Sequence, residues 1–327
     1  MDLETIKINN TQMPIAISSC GYFNGILDNK IFLIDHKLLN VNSELAVIEL
    51  WKKYFLYLEN VIKNDNIIDN KLTIFAHNLG NFDGYFLYKS LLNYYPVNEV
   101  NSLIDESNTF ISILINHGFN IEWKDSLRIF PTSLDKLCKM FGFEGKILKY
   151  NSKFRNVNFF NEPTILQEFI EYSKQDSLIL FNALINAQFL YFDKFKIDIE
   201  SVYSTATLSL KIFRSHFLDK YIYTLPSHID ILIRNAYYGG GTDVYKAYGK
   251  NLHYYDVNSL YPAAMLNPMP HKLISKGCID LSNRKLISFF GFCEAQIVCS
   301  DNMLRPVLPF HHEGKTIYPV GNWLVFF

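Results

Sequence analysis

Asp256-Val257-Asn258-Ser259-Leu260-Tyr261-Pro262 carries the most specific signal in the chain. The apolar and aromatic run before it, Leu252-His253-Tyr254-Tyr255, predicts a strand. Asp256 then stands at a strand end, where the chain turns at Ser259 and Pro262 bars continuation in a sheet interior. A carboxylate so placed suits a hard divalent cation, because Mg²⁺ in phosphoryl chemistry takes one or two carboxylates plus the substrate's phosphates. The turn beyond it offers backbone N–H groups and a hydroxyl, the donors that cradle a triphosphate.

Working upstream, Tyr237-Tyr238-Gly239-Gly240-Gly241 offers a stretch where another backbone can approach closely, and equally a hinge. Before it, the pattern is α/β. Asp2-Leu3-Glu4-Thr5 and the apolar stretches at 15–17 and 31–34 predict three short strands joined by turns, one of them at 21–25. Asp2 and Glu4, two apart on a strand, project to one side. Residues 43–62 predict an amphipathic helix with a core stripe of Leu45, Ile48, Trp51, Phe55 and Leu58. A strand at 71–77 leads into His77-Asn78-Leu79-Gly80-Asn81-Phe82-Asp83-Gly84, a turn that opens a helix at 82–92. By themselves Asn78 and Asp83 there read as caps.

Runs at 110–115 and 119–123 predict strands that lead into Asp125-Ser126-Leu127-Arg128-Ile129-Phe130. Residues 163–191 predict a long helix with Pro163 in its first turn. On it, Tyr172 and Asp176 lie one turn apart on one face, a spacing that suits a carboxylate on a metal and a phenol on an attacking water. Taken singly, each pattern has an ordinary structural explanation. Together, Asp2, Glu4, Asp83 and Asp176 suit two cations a few ångströms apart, because like charges converge only around cations.

These motifs carry a resemblance. Asp-x-x-Ser-Leu-Tyr-Pro is similar to the first palm motif of the family B DNA polymerases, and Tyr237, Gly239 and Gly240 match the Tyr-x-Gly-Gly element of that family. The resemblance implies that Asp256 ligates the catalytic metals, that Ser259 and Leu260 contact the nucleotide phosphates, and that Tyr261 packs under the sugar and rejects a 2′-hydroxyl. It implies that Tyr237, Gly239 and Gly240 bind template and couple two active sites. The upstream acids resemble the three motifs of DEDD-type 3′–5′ exonucleases, in order. On that reading Asp2, Glu4, Asp83 and Asp176 hold two Mg²⁺ (or Mn²⁺) ions, one for the attacking water and one for the leaving 3′-oxygen. Tyr172 assists the water, while Asn78 and Phe82 hold the single-stranded 3′ end. Ser126-Leu127 looks like the single-strand-binding element of the protein-primed branch, and Lys136 and Lys139 lie near where that branch carries a further lysine.

The expected fold is therefore α/β: a ribonuclease-H-like exonuclease domain at 1–191, a linker at 192–235, and the incomplete start of a polymerase palm at 236–327. Neither a Lys-rich finger helix nor a second palm motif of the Asp-Thr-Asp kind follows Asp256. The chain is expected to be a truncated, protein-primed DNA polymerase in which only the exonuclease acts. Its expected partners are DNA (a single-stranded 3′ end or primer-template), deoxynucleoside triphosphates in the intact enzyme, and a terminal protein. A stand-alone 3′–5′ exonuclease and a non-catalytic single-strand-binding remnant are the alternatives. The palm motif weighs against the first and the four retained acids against the second.

Composition adds bounds. With 327 residues and 49% hydrophobic content the chain can build more than one core. Its 27 Phe and 21 Tyr match the bias of an AT-rich gene, and its net charge of −1 leaves no global basic footprint for nucleic acid, so any such track is local. The five cysteines (Cys20, Cys138, Cys278, Cys293, Cys299) are scattered, which argues for a reducing compartment and against zinc. No apolar run approaches membrane-spanning length and Met1-Asp2-Leu3-Glu4-Thr5 is not a targeting segment, so no membrane partner is expected. The expected location is mitochondrial, from an organelle- or plasmid-borne gene, or otherwise cytoplasmic.

Overall fold

Two-residue turns set the first sheet. Asn9 and Asn10 (φ 48° and 63°), then Asn24 and Gly25 (φ 49° and 75°), are left-handed pairs, the conformation that matches the twist of tight hairpins. They join β1 (Asp2–Ile8), β2 (Thr11–Phe23) and β3 (Ile26–Leu33) into an antiparallel sheet with β2 central. This is the computed structural model of the chain, and it describes residues 1–64, 71–143, 145, 148, 150–219, 221, 224–242, 244, 246–270, 274, 277 and 289–326. Cys278 lies outside the described residues.

From Pro14 to Ser19, β2 is buried on both faces, because α2 (Ser43–Asn64) and α6 (Pro163–Phe195) both pack on it. Short α1 (His36–Val41) leads into α2, whose first turn is capped by the Asn42 side chain accepting from Leu45 N (3.0 Å). The buried stripe of α2 is Ala46, Leu50, Trp51, Tyr54, Phe55, Leu58 and Ile62. The expected stripe is offset at its start: Leu45 and Ile48 are 42% and 41% exposed, since the core face runs through Ala46, Leu50 and Tyr54 at four-residue steps.

The second sheet has the order β4-β7-β6-β5. β4 (Lys71–Ala76) is followed by α3 (Asp83–Tyr94), then β5 (Val100–Ile104), β6 (Phe110–Asn116) and β7 (Asn120–Asp125). β5 has no counterpart in the sequence reading. It is an edge strand whose residues 101–104 are exposed, so no alternation marks it. β4 and β7 run parallel with Ala76 opposite Asp125, and the Met1 nitrogen donates to the Phe75 carbonyl (2.8 Å), tying β1 to β4.

α4 (Ser126–Ile129) and α5 (Leu134–Met140) follow β7, and α6 starts with Pro163 in its first turn, where a missing N–H costs nothing. The β5–β6 turn is clasped to α4. Asp105 accepts from Ser107 N (2.9 Å), Thr109 N (3.0 Å) and Thr109 Oγ1 (2.6 Å), and the Arg128 guanidinium bonds both Asp105 and Thr109 Oγ1 (2.8 Å). These bonds, Thr109 first, hold the Asp105 carboxyl well below its ordinary value. A depressed folded value gives stability that is complete above the unfolded value and is lost as pH falls toward the folded one. Asp105→Asn should therefore melt several degrees below wild type at pH 7, with the gap closing under acid in pH-dependent thermal melts.

The chain divides into two compact units, Met1–Asp219 and Lys220–Phe327. This corrects the expected linker at 192–235. α7 (Thr205–Ile212) and the segment before it bury Ile197, Ile199, Val202 and Leu208 against Ile129, Leu137, Leu180 and Ala187. Each such side chain contributes roughly 1.5–3 kcal/mol, so this segment belongs to a second apolar cluster of the first unit, which runs to Asp219.

The second unit holds α8 (Ser227–Asn235), α9 (Leu260–Met265) and two small antiparallel ribbons. One ribbon pairs β8 (Glu294–Cys299) with β11 (Gly321–Phe326); the other pairs β9 (Phe310–His312) with β10 (Lys315–Ile317) around left-handed Glu313 and Gly314. Two expectations fail here. Residues 306–323 carry no strand pattern in the sequence, yet they contain that hairpin. Residues 252–255 form no strand: they are exposed and have no ladder partner among the described residues, and aromatic content alone does not supply one.

Candidate active site

β1 and α6 build the site. On β1, Asp2 and Glu4 lie opposite Ser18 and Ala16 and so share a face, and the register slips only after Glu4. α6 crosses β1, β2 and β3 and carries Asp176 buried (4% exposed) with Tyr172 one turn before it. Carboxylate oxygens of Asp2, Glu4 and Asp176 all fall within 4.8 Å of one another. Among the described residues this is the one group of three or more His, Cys, Asp or Glu placed to hold an ion.

Asp83, the first residue of α3, borders the trio. It is 4% exposed, and its carboxyl is held well above the usual carboxylate range, first by burial and then by the Asp2 charge beside it. Its Oδ1 atom is buried without a hydrogen-bond partner among the described residues. A buried, orphaned carboxylate oxygen next to three converging acids is costly unless a cation compensates it, and an all-oxygen donor set suits a hard one such as Mg²⁺ or Mn²⁺. The residues present fit a divalent ion.

Burial, then Glu4, Asp176 and Asp2, push the Tyr172 phenol up, so it stays protonated across the physiological range and remains a donor. The ring packs edge-on against Tyr150 (5.9 Å) and lies 5.9 Å from Phe154. At the neighbouring turn Asn78 is left-handed (φ 74°) and accepts from Asn81 Nδ2 (2.9 Å). Phe82 is 37% exposed and braced edge-on by Phe86 at 5.5 Å. Leu127 is half-exposed. Ser126 departs from its expected role as a direct DNA contact. It is fully buried, its hydroxyl donates to the Ala76 carbonyl (3.2 Å), and His77 Nδ1 lies 3.0 Å from it. Lys136 and Lys139 are exposed on α5, with Lys139 paired to Asp135 at 2.7 Å.

The palm-like motif sits in the second unit. Asp256, Ser259, Leu260 and Tyr261 are all exposed; Ser259 is left-handed (φ 53°) and opens α9, with Pro262 in its first turn. A Cβ on Gly240 would lie 2.6 Å from the Tyr261 hydroxyl, so the Tyr-x-Gly-Gly element and the motif's tyrosine are neighbours. Tyr237 is 77% exposed, and Tyr238 stacks on His311 at 4.2 Å. The acids Asp2, Glu4 and Asp176 thus converge, with Asp83 beside Asp2, whereas Asp256 belongs to no group of three or more such ligands among the described residues.

A sequence profile described as DNA polymerase type B, organellar and viral, matches residues 63–162 and 144–326. A probable DNA polymerase of Agaricus bitorquis is 30% identical over 311 residues, covering 83% of this chain. The chain belongs to the organellar and viral type B DNA polymerases. A second relative, the probable DNA polymerase of Neurospora intermedia, is 27% identical over 308 residues and covers 76% of the chain. The chain spans 38% and 31% of these two relatives' own lengths. Phi29 DNA polymerase, complexed with primer-template DNA and incoming nucleotide substrates, shares the fold with a TM-score of 0.63 at 17% identity, covering 99% of this chain and 55% of that one. The orthorhombic crystal form of the same polymerase gives 0.62.

Within this type B chain one residue of consequence escapes the sequence reading. Asp125, ahead of Ser126-Leu127, looks like a helix cap, and it is one: it accepts from Leu127 N at 2.9 Å. Its other bonds reach across to residues 78 and 80, which no local pattern discloses.

Proposed function

We propose that the first unit is a 3′–5′ exonuclease for single-stranded DNA ends, the proofreading part of a protein-primed DNA polymerase. The convergence of Asp2, Glu4 and Asp176 beside Asp83, whose Oδ1 is buried without a partner among the described residues, carries this reading. Asp2, Glu4, Asp83 and Asp176 would hold two divalent ions, Mg²⁺ or Mn²⁺, which supply charge compensation and an activated water when bound. The Tyr172 phenol, kept protonated, donates to that water and orients it. Phe82 and Leu127 give the terminal bases apolar contact, and Asn78 offers a polar edge. Ser126 serves by holding the ends of β4 and β7 together.

The second unit contributes Asp256 as a polymerase metal ligand, Ser259, Leu260 and Tyr261 to a nucleotide site, and Tyr237, Gly239 and Gly240 to template. In the intact enzyme the partners are primer-template DNA, deoxynucleoside triphosphates and a terminal protein primer, and the location is mitochondrial.

Mn²⁺ titration followed by electron paramagnetic resonance tests the metal site. Wild type should bind the ion and Asp2→Ala should bind it at least tenfold more weakly. A folded wild type that binds no Mn²⁺ and shortens no oligonucleotide would instead be a single-strand-binding remnant. Tyr172→Phe should keep Mn²⁺ affinity and slow trimming roughly 10²-fold, the scale of one lost orienting donor.

A further inference from the structure

The parallel strands β4 and β7 end together, with Ala76 opposite Asp125, and both chains then leave the sheet. β4 runs into the turn that bears Asn78, Phe82 and Asp83, and β7 into Ser126-Leu127. Asp125 sits in the crotch, 3% exposed. Its Oδ1 accepts from Asn78 N and Leu127 N and its Oδ2 from Gly80 N, each at 2.9 Å. One carboxylate therefore closes three main-chain donors from two segments far apart in sequence. Bonds to a charged acceptor are about twice as strong as neutral ones.

Gly80 shows how tightly the turn is drawn down. A Cβ there would lie 2.5 Å from the Phe110 carbonyl oxygen and 3.3 Å from Asp125 Oδ2. The residue just before, Leu79, is buried in the first core, so the turn is pinned from below by packing and from the side by Asp125. The part of the turn from the left-handed Asn78 to Phe82 inherits its position from these bonds, whereas Asp83 is held as the first residue of α3.

We propose that Asp125 is the positioning residue of the exonuclease site: its carboxylate, which accepts from the Asn78, Gly80 and Leu127 amides, fixes the 78–82 turn so that Asn78 and Phe82 meet the DNA end. Asp125 touches neither metal nor substrate. Both of its oxygens accept from backbone N–H groups, two amides on Oδ1 and one on Oδ2. The proposal deepens the exonuclease reading and rests on it.

Asp125→Asn is the test. The amide keeps the shape but turns one acceptor into a donor, so whichever way it flips at least one of the three amides loses its partner. The folded variant, checked by circular dichroism, should bind Mn²⁺ within about threefold of wild type while kcat/KM for a single-stranded oligonucleotide falls about 10- to 100-fold, the scale of a 1 Å misplacement. Asn78→Ala should cost little further in that background, though it costs activity in wild type; such non-additivity marks action through Asn78 rather than general loosening. Trimming by Asp125→Asn within twofold of wild type overturns the proposal, as do fully additive losses. Hydrogen exchange on the unaltered chain decides independently of any variant's folding. The Asn78, Gly80 and Leu127 amides should be protected together, and free exchange at Asn78 and Gly80 contradicts the clamp. A wild type that trims nothing yet protects these amides overturns the exonuclease reading while leaving the clamp itself intact.

Discussion

Asp176→Ala should lower 3′ trimming by on the order of a thousandfold, about 4 kcal/mol of barrier, and should not cost stability in the absence of metal. Asp176 comes from the middle of α6 and meets Asp2 and Glu4 of β1 with oxygens within 4.8 Å. Removing it takes away a ligand contributed by a separate element, which neither β1 acid can replace. The same change relieves repulsion among converging carboxylates, one of them buried, so with chelator present the variant should melt at or above the wild-type temperature. Activity and stability moving in opposite senses is the mark of a site maintained for chemistry, since a packing residue loses both together. Steady-state trimming rates and paired melts with and without Mg²⁺ check both halves.

Lys124→Met should be the most damaging single change to the fold, at about 3–5 kcal/mol. Lys124 and Glu122 lie on β7, 2% and 6% exposed, with their charges 3.3 Å apart. Lys124 also donates to the Glu200 carbonyl and lies 4.2 Å from the Tyr203 ring centre, and the Tyr203 hydroxyl donates to Glu122 at 2.8 Å. Losing the cation strands a buried carboxylate, and that uncompensated charge, more than the lost attraction, sets the cost. Adding Glu122→Leu to Lys124→Met should recover most of the loss, because a buried pair replaced whole is often close to neutral. Urea unfolding midpoints of the single and double variants measure this; a single variant within 1 kcal/mol of wild type contradicts it.

That network also shows what the sequence concealed. Residues 192–219 look like a linker because their polar and aromatic residues have no period, yet Tyr203 and the Glu200 carbonyl complete a charge pair 81 and 76 residues away, and Ile199 and Leu208 complete an apolar cluster. Such partners are non-local and leave no local signature. The elements that could be read ahead are those whose cause is local: the turn at 21–25, the Trp51, Phe55 and Leu58 part of the α2 stripe, Pro163 at the start of α6, and the one-turn spacing of Tyr172 and Asp176. The acids could be read for a different reason, since their residue type and order are set by chemistry. Ser126 shows the limit of that kind of reading. Its motif is recognisable, but only the fold reveals that its hydroxyl points to Ala76 rather than to solvent. Asp125 was hidden behind its own capping role.

The most direct measurement is of polarity and metal dependence in one gel: a 5′-labelled single-stranded oligonucleotide incubated with the chain in Mg²⁺ and in chelator. The account predicts a ladder of products shortened stepwise from the 3′ end, present with Mg²⁺ and absent with chelator. A folded chain that leaves the oligonucleotide intact in Mg²⁺, or cuts it internally, contradicts the assignment of Asp2, Glu4, Asp83 and Asp176 to a working 3′–5′ exonuclease.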